Sequence, residues 1–272
     1  MSVKQDPSGR RSVQVEVEVP GTPEQVWQAI ASGPGITAWF VPTRLEGRVG
    51  GTMEMDFGGG MLSAVHITEW QPPYRFAAVD ATWLQGGPPV ATEWTVEARR
   101  GGTCLVRVVH SLFASTDQWD DQLGGTEQGW PGYFRVLRHY LAHHAGQPAA
   151  AFVLMVPVPD GVGPTWTKLA RALGQPNPQV GQRLRVVAPG GAMLAGELAA
   201  VDHLPQGQGV MLVVEEPVPG VCLASAMECM GMRMATLQVV FYGPQAAAAA
   251  AQQPAWQSWL LALFPPGETA AG

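Results

Sequence analysis

Strict alternation of apolar and polar residues opens the patterned part of the chain, with valine at every second position of residues 13–19. A period of two predicts a half-buried β-strand. Thr22 then stands where a helix N-cap belongs, with Pro23 in the first turn. The apolar face of that helix consists of Val26, Trp27 and Ile30. We predict that residues 33–35 break the helix before a second helical turn over residues 36–41.

Antiparallel strands follow, because alternating runs recur between turn residues from position 43 to position 113. The predicted strands cover residues 43–48, 52–57, 63–70, 74–82, 92–98 and 103–113. In the strand 52–57, Met53, Met55 and Phe57 share one face, and acidic residues share the other. Residues 114–128 are polar, and we predict that they form a loop.

A turn followed by a long helix is predicted over Gly129–His144, where apolar residues recur at spacings of three and four. They are Tyr133, Phe134, Leu137, Tyr140 and Leu141. One continuous apolar stripe needs a surface to cover it, and the preceding strands supply that surface. The sequence therefore predicts an α+β fold in which a helix lies across a curved antiparallel sheet.

The second half of the chain repeats this order in outline. The predicted elements are a strand over 151–159, a helix over 164–173, strands over 197–204, 209–215, 221–227 and 232–242, and a closing helix over 254–264. The alanine tract 246–251 is either a helical lead-in or a linker. The second half lacks a counterpart of residues 36–42, so a second cavity would be more open or collapsed.

The motifs and their order resemble the START-like helix-grip superfamily, SRPBCC. The motifs that carry this likeness are VEVEVPGTPEQVWQAIASGPGITAWF, VGGTMEMDFGG, ITEWQPPYRF and GWPGYFRVLRHYL. Within the superfamily, residues 12–144 look like the branch similar to the C-terminal domain of the Hsp90 ATPase activator. The resemblance implies a curved antiparallel sheet wrapped around a long C-terminal helix. Since the second half matches by pattern alone, we expect two tandem helix-grip domains, residues 12–146 and a divergent copy over 150–266.

Composition narrows the function classes. Of the 272 residues, 46% are hydrophobic and 14% are charged, and the net charge is −6. An acidic chain without clusters of Lys and Arg disfavours a nucleic-acid surface. No apolar run reaches the length of a membrane span, and the polar N-terminus does not resemble a secretory signal. The three cysteines stand in apolar runs, which predicts buried free thiols and a cytoplasmic protein.

A small-molecule site is predicted between the sheet and the long helix. The resemblance implies a cavity there that binds apolar or aromatic molecules. Methionine and aromatic side chains adapt to irregular ligands, yet they also fill ordinary cores, and the sequence leaves both interpretations open. The candidate ligand-binding residues are Trp39, Phe40, Met53, Met55, Phe57, Trp94, His110, Tyr133, Phe134 and Leu137. Of these, Trp39 and Phe40 either gate the entrance or plug the core.

Acid–base chemistry in such a cavity would need a histidine or a desolvated carboxylate. The candidates are His66, Asp80, Glu93, Arg107 and His110. Alternation places His110 and Arg107 on opposite faces of one strand, so only one of them can enter a cavity, and the pattern does not say which. No nucleophile elbow, phosphate loop or metal-ligand spacing appears. We therefore assign no catalytic residue, metal or cofactor.

Binding of a small apolar or aromatic molecule, without catalysis, is the leading expectation. Two alternatives stay open. Co-chaperone-like binding of a protein partner, a chaperone, rests on the family resemblance alone. A cyclase- or hydrolase-like enzyme would require one of the ionisable candidates inside the cavity.

Overall fold

The computed structural model describes residues 3–84, 86–114, 116–204, 206–229 and 231–265, without the side chains of residues 126–128 and 229. The chain divides into two compact units. The first contains the residues up to Asp56 and Leu62–Gly146, and the second contains Phe57–Met61 and the chain from Gln147 onward. Each unit is a curled antiparallel sheet with few helices, so the predicted α+β helix-grip class is confirmed.

An eight-stranded antiparallel sheet forms the first unit. Its strands are β1 (Lys4–Gln5), β2 (Arg10–Pro20), β3 (Thr43–Leu45), β4 (Thr52–Asp56), β5 (Leu62–Gln71), β6 (Arg75–Asp80), β7 (Val90–Ala98) and β8 (Thr103–Phe113). Its helices are α1 (Pro23–Ile30), α2 (Gly33–Thr37) and α3 (Asp120–His143). The strand order is β1-β2-β8-β7-β6-β5-β4-β3, so β2 pairs with the last strand, β8.

The start of α1 agrees with the prediction that Thr22 caps it. The backbone N–H of Gln25 donates to the Thr22 hydroxyl oxygen at 3.3 Å, and the Gln25 side chain accepts from the Thr22 N–H at 2.9 Å. This reciprocal capping box satisfies two backbone donors that the first turn of a helix otherwise leaves free.

The prediction that residues 33–35 only break the first helix is wrong, because they begin α2. The Ser32 hydroxyl accepts the N–H of Gly35 at 3.0 Å and thereby caps the new helix. A Cβ on Gly35 would lie 1.9 Å from the carbonyl oxygen of Gln28. Glycine is therefore required for the close approach of α2 to α1.

Helix α3 begins at Asp120, so the predicted loop over 114–128 is wrong for its second part, and Ser115 lies outside the described residues. The sequence suggests a loop because glycine and proline disfavour a helix interior, and this part of the chain contains Gly124, Gly125 and Pro131. Tertiary contacts stabilise the helix despite these residues. Asp120 in the first turn accepts two hydrogen bonds from the Arg11 guanidinium of β2, and Leu123 is buried.

The second unit has a six-stranded antiparallel sheet. Its strands are β9 (Ala149–Pro157), β10 (Arg183–Val187), β11 (Met193–Leu204), β12 (Gly207–Glu216), β13 (Gly220–Cys229) and β14 (Met232–Tyr242), in the order β10-β11-β12-β13-β14-β9. Its helices are α4 (Val162–Ala172), α5 (Ala246–Ala250) and α6 (Gln253–Leu263). The alanine tract is thus a helix, and β10 is a strand that the pattern did not reveal. Cys104 in the first unit and Cys222 in the second are free and buried, as predicted.

Candidate binding site

Aromatic rings from three elements meet between the first sheet and α3. Trp94 comes from β7, Trp130 and Phe134 come from successive turns of α3, and Trp39 comes from the turn after α2. The Trp130 ring centroid lies 5.2 Å from that of Trp94 and 5.3 Å from that of Phe134. The centroids of Trp39 and Trp94 are 6.0 Å apart. Together with the neighbouring Phe40, these four side chains form what we call the aromatic cluster.

Hydrogen bonds fix the turn that carries Trp39 and Phe40. The Trp39 indole N–H donates to the carbonyl of Ala29 in α1 at 2.9 Å. The Thr37 hydroxyl accepts the N–H of Thr43 at 3.0 Å, which ties the same turn to the start of β3. The turn is therefore anchored to α1 on one side and to the sheet on the other.

His110 lies at the inner end of the aromatic cluster with both ring nitrogens hydrogen-bonded. The Trp130 indole N–H donates to His110 Nε2 at 2.8 Å, and the Thr92 hydroxyl lies 2.9 Å from His110 Nδ1. An indole nitrogen can only donate, so Nε2 must be the acceptor. Nδ1 consequently carries the proton and donates to Thr92, which defines one neutral tautomer.

The surroundings of His110 keep its imidazole uncharged. The side chain is only 4% exposed, and burial lowers its pKa from 6.5 to about 3. The Trp130 ring is stacked on it at 5.7 Å, and Trp83 approaches edge-on at 5.1 Å. A charged imidazolium would lose solvation here without gaining a counter-ion, so the site favours a neutral acceptor.

Phe40 and Tyr133 form the outer end of the site. Their rings meet edge-on at 4.6 Å, and Phe40 is stacked on Trp130 at 5.4 Å. Both are half-buried, whereas Trp39 and Phe134 are 1% and 3% exposed. The rings thus run from a half-buried pair at the rim to a buried histidine at the inner end.

The described rings of the aromatic cluster lie in contact with one another. A small cleft of the first unit lies beside the start of α3 and leaves no room for a water molecule. That cleft is lined by Trp83, Leu84, Val90, Leu112, Gln122 and Leu123. The Trp130 indole is stacked on both His110 and Phe40, two of the predicted binding residues.

The other predicted binding residues fall into two groups. Leu137 follows Phe134 by three positions on α3 and is fully buried, so it lies on the same helix face. Met53 is buried and Met55 is half-buried on β4, which β5 and β6 separate from β7. Phe57 lies beyond the end of β4 and is grouped with the second unit. These three residues are therefore not neighbours of Trp94 in the sheet.

Among the ionisable candidates, His110 is the one that points inward. His66 is exposed on β5, and Asp80 accepts the N–H groups of Thr82 and Trp83, which shapes the turn after β6. On the outer face of the sheet, ion pairs join Glu93 to Arg75 at 2.8 Å and Arg107 to Glu16 at 2.6 Å. The structure thus resolves the choice that alternation left open on β8, in favour of His110.

Three histidines gather at the end of α3. The His139 ring centroid lies 4.8 Å from that of His143 and 5.4 Å from that of His144. Burial, and then the neighbouring His143 and His144, lower the pKa of His139 to about 4. Among the described residues, no three His, Cys, Asp or Glu side chains are arranged to hold a metal ion. No described helix is long and apolar enough to cross a membrane.

Sequence reasoning missed three residues that build the site. Trp130 was assigned to a turn, although it precedes Phe134 by four positions and so shares its helix face. Thr92 lies opposite His110 in the register of β7 and β8. Arg11 holds the start of α3 through Asp120 across a long sequence separation, which no local pattern reveals.

The core of the second unit combines aliphatic side chains with buried aromatic rings such as Phe152, Phe241 and Trp256. A cavity in this core measures about 10 Å3. The lining is apolar throughout and consists of Leu173, Leu184, Val186, Leu194, Val210, Leu212, Cys222, Ala224, Leu237 and Trp256. Burial raises the pKa of the Cys222 thiol to about 12, so the thiol stays protonated. This cavity is too small for any organic ligand.

Comparison with known proteins supports the family resemblance of the first unit. Residues 20–142 match the family model described as Activator of Hsp90 ATPase homolog 1-like protein. No curated protein matches the chain.

Several solved structures are similar in fold. Protein MLL2253 from Mesorhizobium loti is 23% identical and covers 48% of this chain and 97% of its own, with a TM-score of 0.43. DynU16, a putative protein in the dynemicin biosynthetic locus, is 16% identical over 93% of this chain and 97% of its own, with a TM-score of 0.43. The di-domain ARO/CYC BexL from the BE-7585A biosynthetic pathway is 14% identical over 93% of this chain and 97% of its own, with a TM-score of 0.46.

Proposed function

We propose that the first unit, whose residues 20–142 match the family model described as Activator of Hsp90 ATPase homolog 1-like protein, binds a small apolar or aromatic molecule within its aromatic cluster. The observation that carries this proposal is the graded set of rings, from the half-buried Phe40 and Tyr133 to the buried His110. Such a site offers ring faces for contact and one polar group for orientation, the usual composition of a small-molecule pocket.

The second unit supplies an internal comparison. We take residues 150–266 as a divergent second helix-grip domain, although Pro266 lies outside the described residues. Its small cavity is lined by apolar side chains, most of them leucine, valine and alanine. Stability alone is therefore compatible with a cavity lining that carries no polar group. The imidazole, the threonine hydroxyl and the indole N–H in the first unit are better explained by recognition.

Ligand binding would exchange ring–ring contacts for ring–ligand contacts. A two-ring molecule that buries about 250 Å2 of apolar surface gains roughly 6 kcal/mol before the cost of moving side chains. The displaced rings reduce this value, so we expect dissociation constants in the micromolar to millimolar range. Catalysis is not part of the proposal, because burial lowers the pKa of His110 to about 3, and such an imidazole is a weak base.

Isothermal titration with 2-naphthol, combined with native mass spectrometry of the freshly purified chain, tests the proposal. We expect saturable binding at one site, which the substitution Trp94→Ala weakens. The matched control is Trp166→Ala, since Trp166 is also buried but lies in the second unit. A chain that carries no co-purified molecule and does not bind 2-naphthol up to its solubility would refute the proposed function.

A second candidate is binding to a chaperone, which the description of the matching family favours. Pull-down of an Hsp90-type chaperone, with and without nucleotide, distinguishes it from ligand binding. If the Trp94→Ala variant retains as much chaperone as the wild type does, the interaction lies outside the aromatic cluster.

A further inference from the structure

Trp130 has the contacts that a bound aromatic molecule would have. Its indole is stacked on Phe40 at 5.4 Å and on Phe134 at 5.3 Å, and the edge of Trp94 approaches it at 5.2 Å. Its only polar atom donates to His110 Nε2 at 2.8 Å. Ring faces, a ring edge and one hydrogen bond thus hold a planar bicyclic group in a defined orientation.

The backbone around Trp130 is weak as a helix. Gly129 precedes it, and Pro131 and Gly132 follow, all inside α3. A Cβ on Gly129 would meet nothing within 4 Å, and one on Gly132 would meet only the end of the Arg135 side chain at 4.0 Å. Packing therefore does not require glycine at either position. Each glycine lowers helix stability by roughly 1 kcal/mol relative to alanine, and proline removes a backbone hydrogen bond.

We propose that the Trp130 indole is an internal occupant of the binding site, and that His110 Nε2 selects ligands whose own O–H or N–H replaces the indole donor. The proposal rests on the proposed function, since it concerns the same site. The ligand class is a planar aromatic molecule with one hydrogen-bond donor at its edge. A ring without a donor would also displace the indole, but it would leave His110 Nε2 buried without a partner, which is costly.

Two probes of similar shape test this selection, 2-naphthol and 2-fluoronaphthalene. The ratio of their dissociation constants is measured in the wild type and in His110→Phe, so that differences in ligand hydration cancel. We expect the preference for 2-naphthol to fall by at least about fivefold in His110→Phe. An unchanged ratio would overturn the role of His110 and leave the proposed function intact.

Trp130→Phe tests the internal occupant. The phenyl ring keeps part of the packing but competes less for the site, so both probes should bind more tightly by a similar factor. Trp166→Phe in the second unit is the matched control, and it should change neither constant. If Trp130→Phe binds the probes no better than the wild type, Trp130 is not an occupant.

A direct readout needs no His110 variant, which keeps the proposal testable if His110→Phe does not fold. The Trp130 indole N–H resonance is assigned by its loss in Trp130→Phe and followed during titration of the wild type with 2-naphthol. We expect it to move to the position of a solvent-exposed indole. Saturable binding without a shift of this resonance would overturn the proposal. If neither the wild type nor Trp130→Phe binds 2-naphthol, the proposed function itself is refuted.

Discussion

Acidification should destabilise the first unit through His110 before most carboxylates protonate. Burial lowers the pKa of His110 from 6.5 to about 3, and the side chain is 4% exposed. In the unfolded chain the same imidazole takes up a proton below about pH 6.5. Its contribution to stability is therefore complete above that pH and is lost as the pH falls toward 3.

The magnitude follows from the two pKa values. Between pH 6 and pH 4.5 the unfolded state binds nearly one proton more than the folded state, which removes about 2 kcal/mol of unfolding free energy over this interval. His139, whose pKa is lowered to about 4, acts in the same direction but is only partly buried. The contribution of His110 alone is thus measured as a difference between the wild type and a His110 variant.

Urea unfolding, followed by tryptophan fluorescence at several values between pH 6 and pH 4.5, measures this difference. In His110→Gln, whose amide can still donate to Thr92 and accept from Trp130, the loss over this interval should be smaller by about 2 kcal/mol. His66→Gln is the control, because His66 is exposed on β5, and it should lose as much stability as the wild type. Parallel pH profiles for the wild type and His110→Gln would refute the reasoning.

Three further substitutions test the parts that hold the site. Asp120→Asn should lower the stability of the first unit by about 1–3 kcal/mol in urea unfolding, because it leaves the mostly buried Arg11 without its carboxylate. Gly35→Ala should cost about 2 kcal/mol or more by the same measurement, since a Cβ there would lie 1.9 Å from the Gln28 carbonyl. Gly129→Ala should stabilise α3 by up to about 1 kcal/mol and slow the association of 2-naphthol in stopped-flow fluorescence. Association at the wild-type rate in a stabilised Gly129→Ala would argue against movement of this segment.

Local sequence patterns predicted the elements that are determined by residues close together in the chain. Strand β8 was predicted with the bounds Thr103–Phe113 that it has, because alternation is a property of the strand itself. The cap of α1 was predicted because Thr22 and Pro23 act within one turn. The start of α3 was not, because it depends on the pairing of Asp120 with Arg11 in a distant strand.

The site was predictable in its composition and not in its arrangement. Aromatic residues such as Trp39 and Phe134 are recognisable from the sequence, since large rings must be buried somewhere. The orientation of His110 is not, because either face of β8 offers apolar neighbours in the sequence. Sheet order resolves it, since β8 lies between β2 and β7 with the even-numbered side chains of residues 104–112 buried. The contribution of Trp130 was missed for a similar reason, because its segment was expected to form a turn and lies inside α3.

The buried imidazole of His110 is hard to explain as a contribution to the stability of the first unit. Imidazole loses solvation on burial, and its two hydrogen bonds replace bonds that water would have made, so the net gain is small. An apolar side chain in its place would avoid the acid lability, and the cavity of the second unit is lined by apolar side chains. What His110 provides is a single acceptor of fixed direction at the inner end of a stack of rings. A fixed acceptor discriminates between molecules of equal size, which an aliphatic wall cannot do.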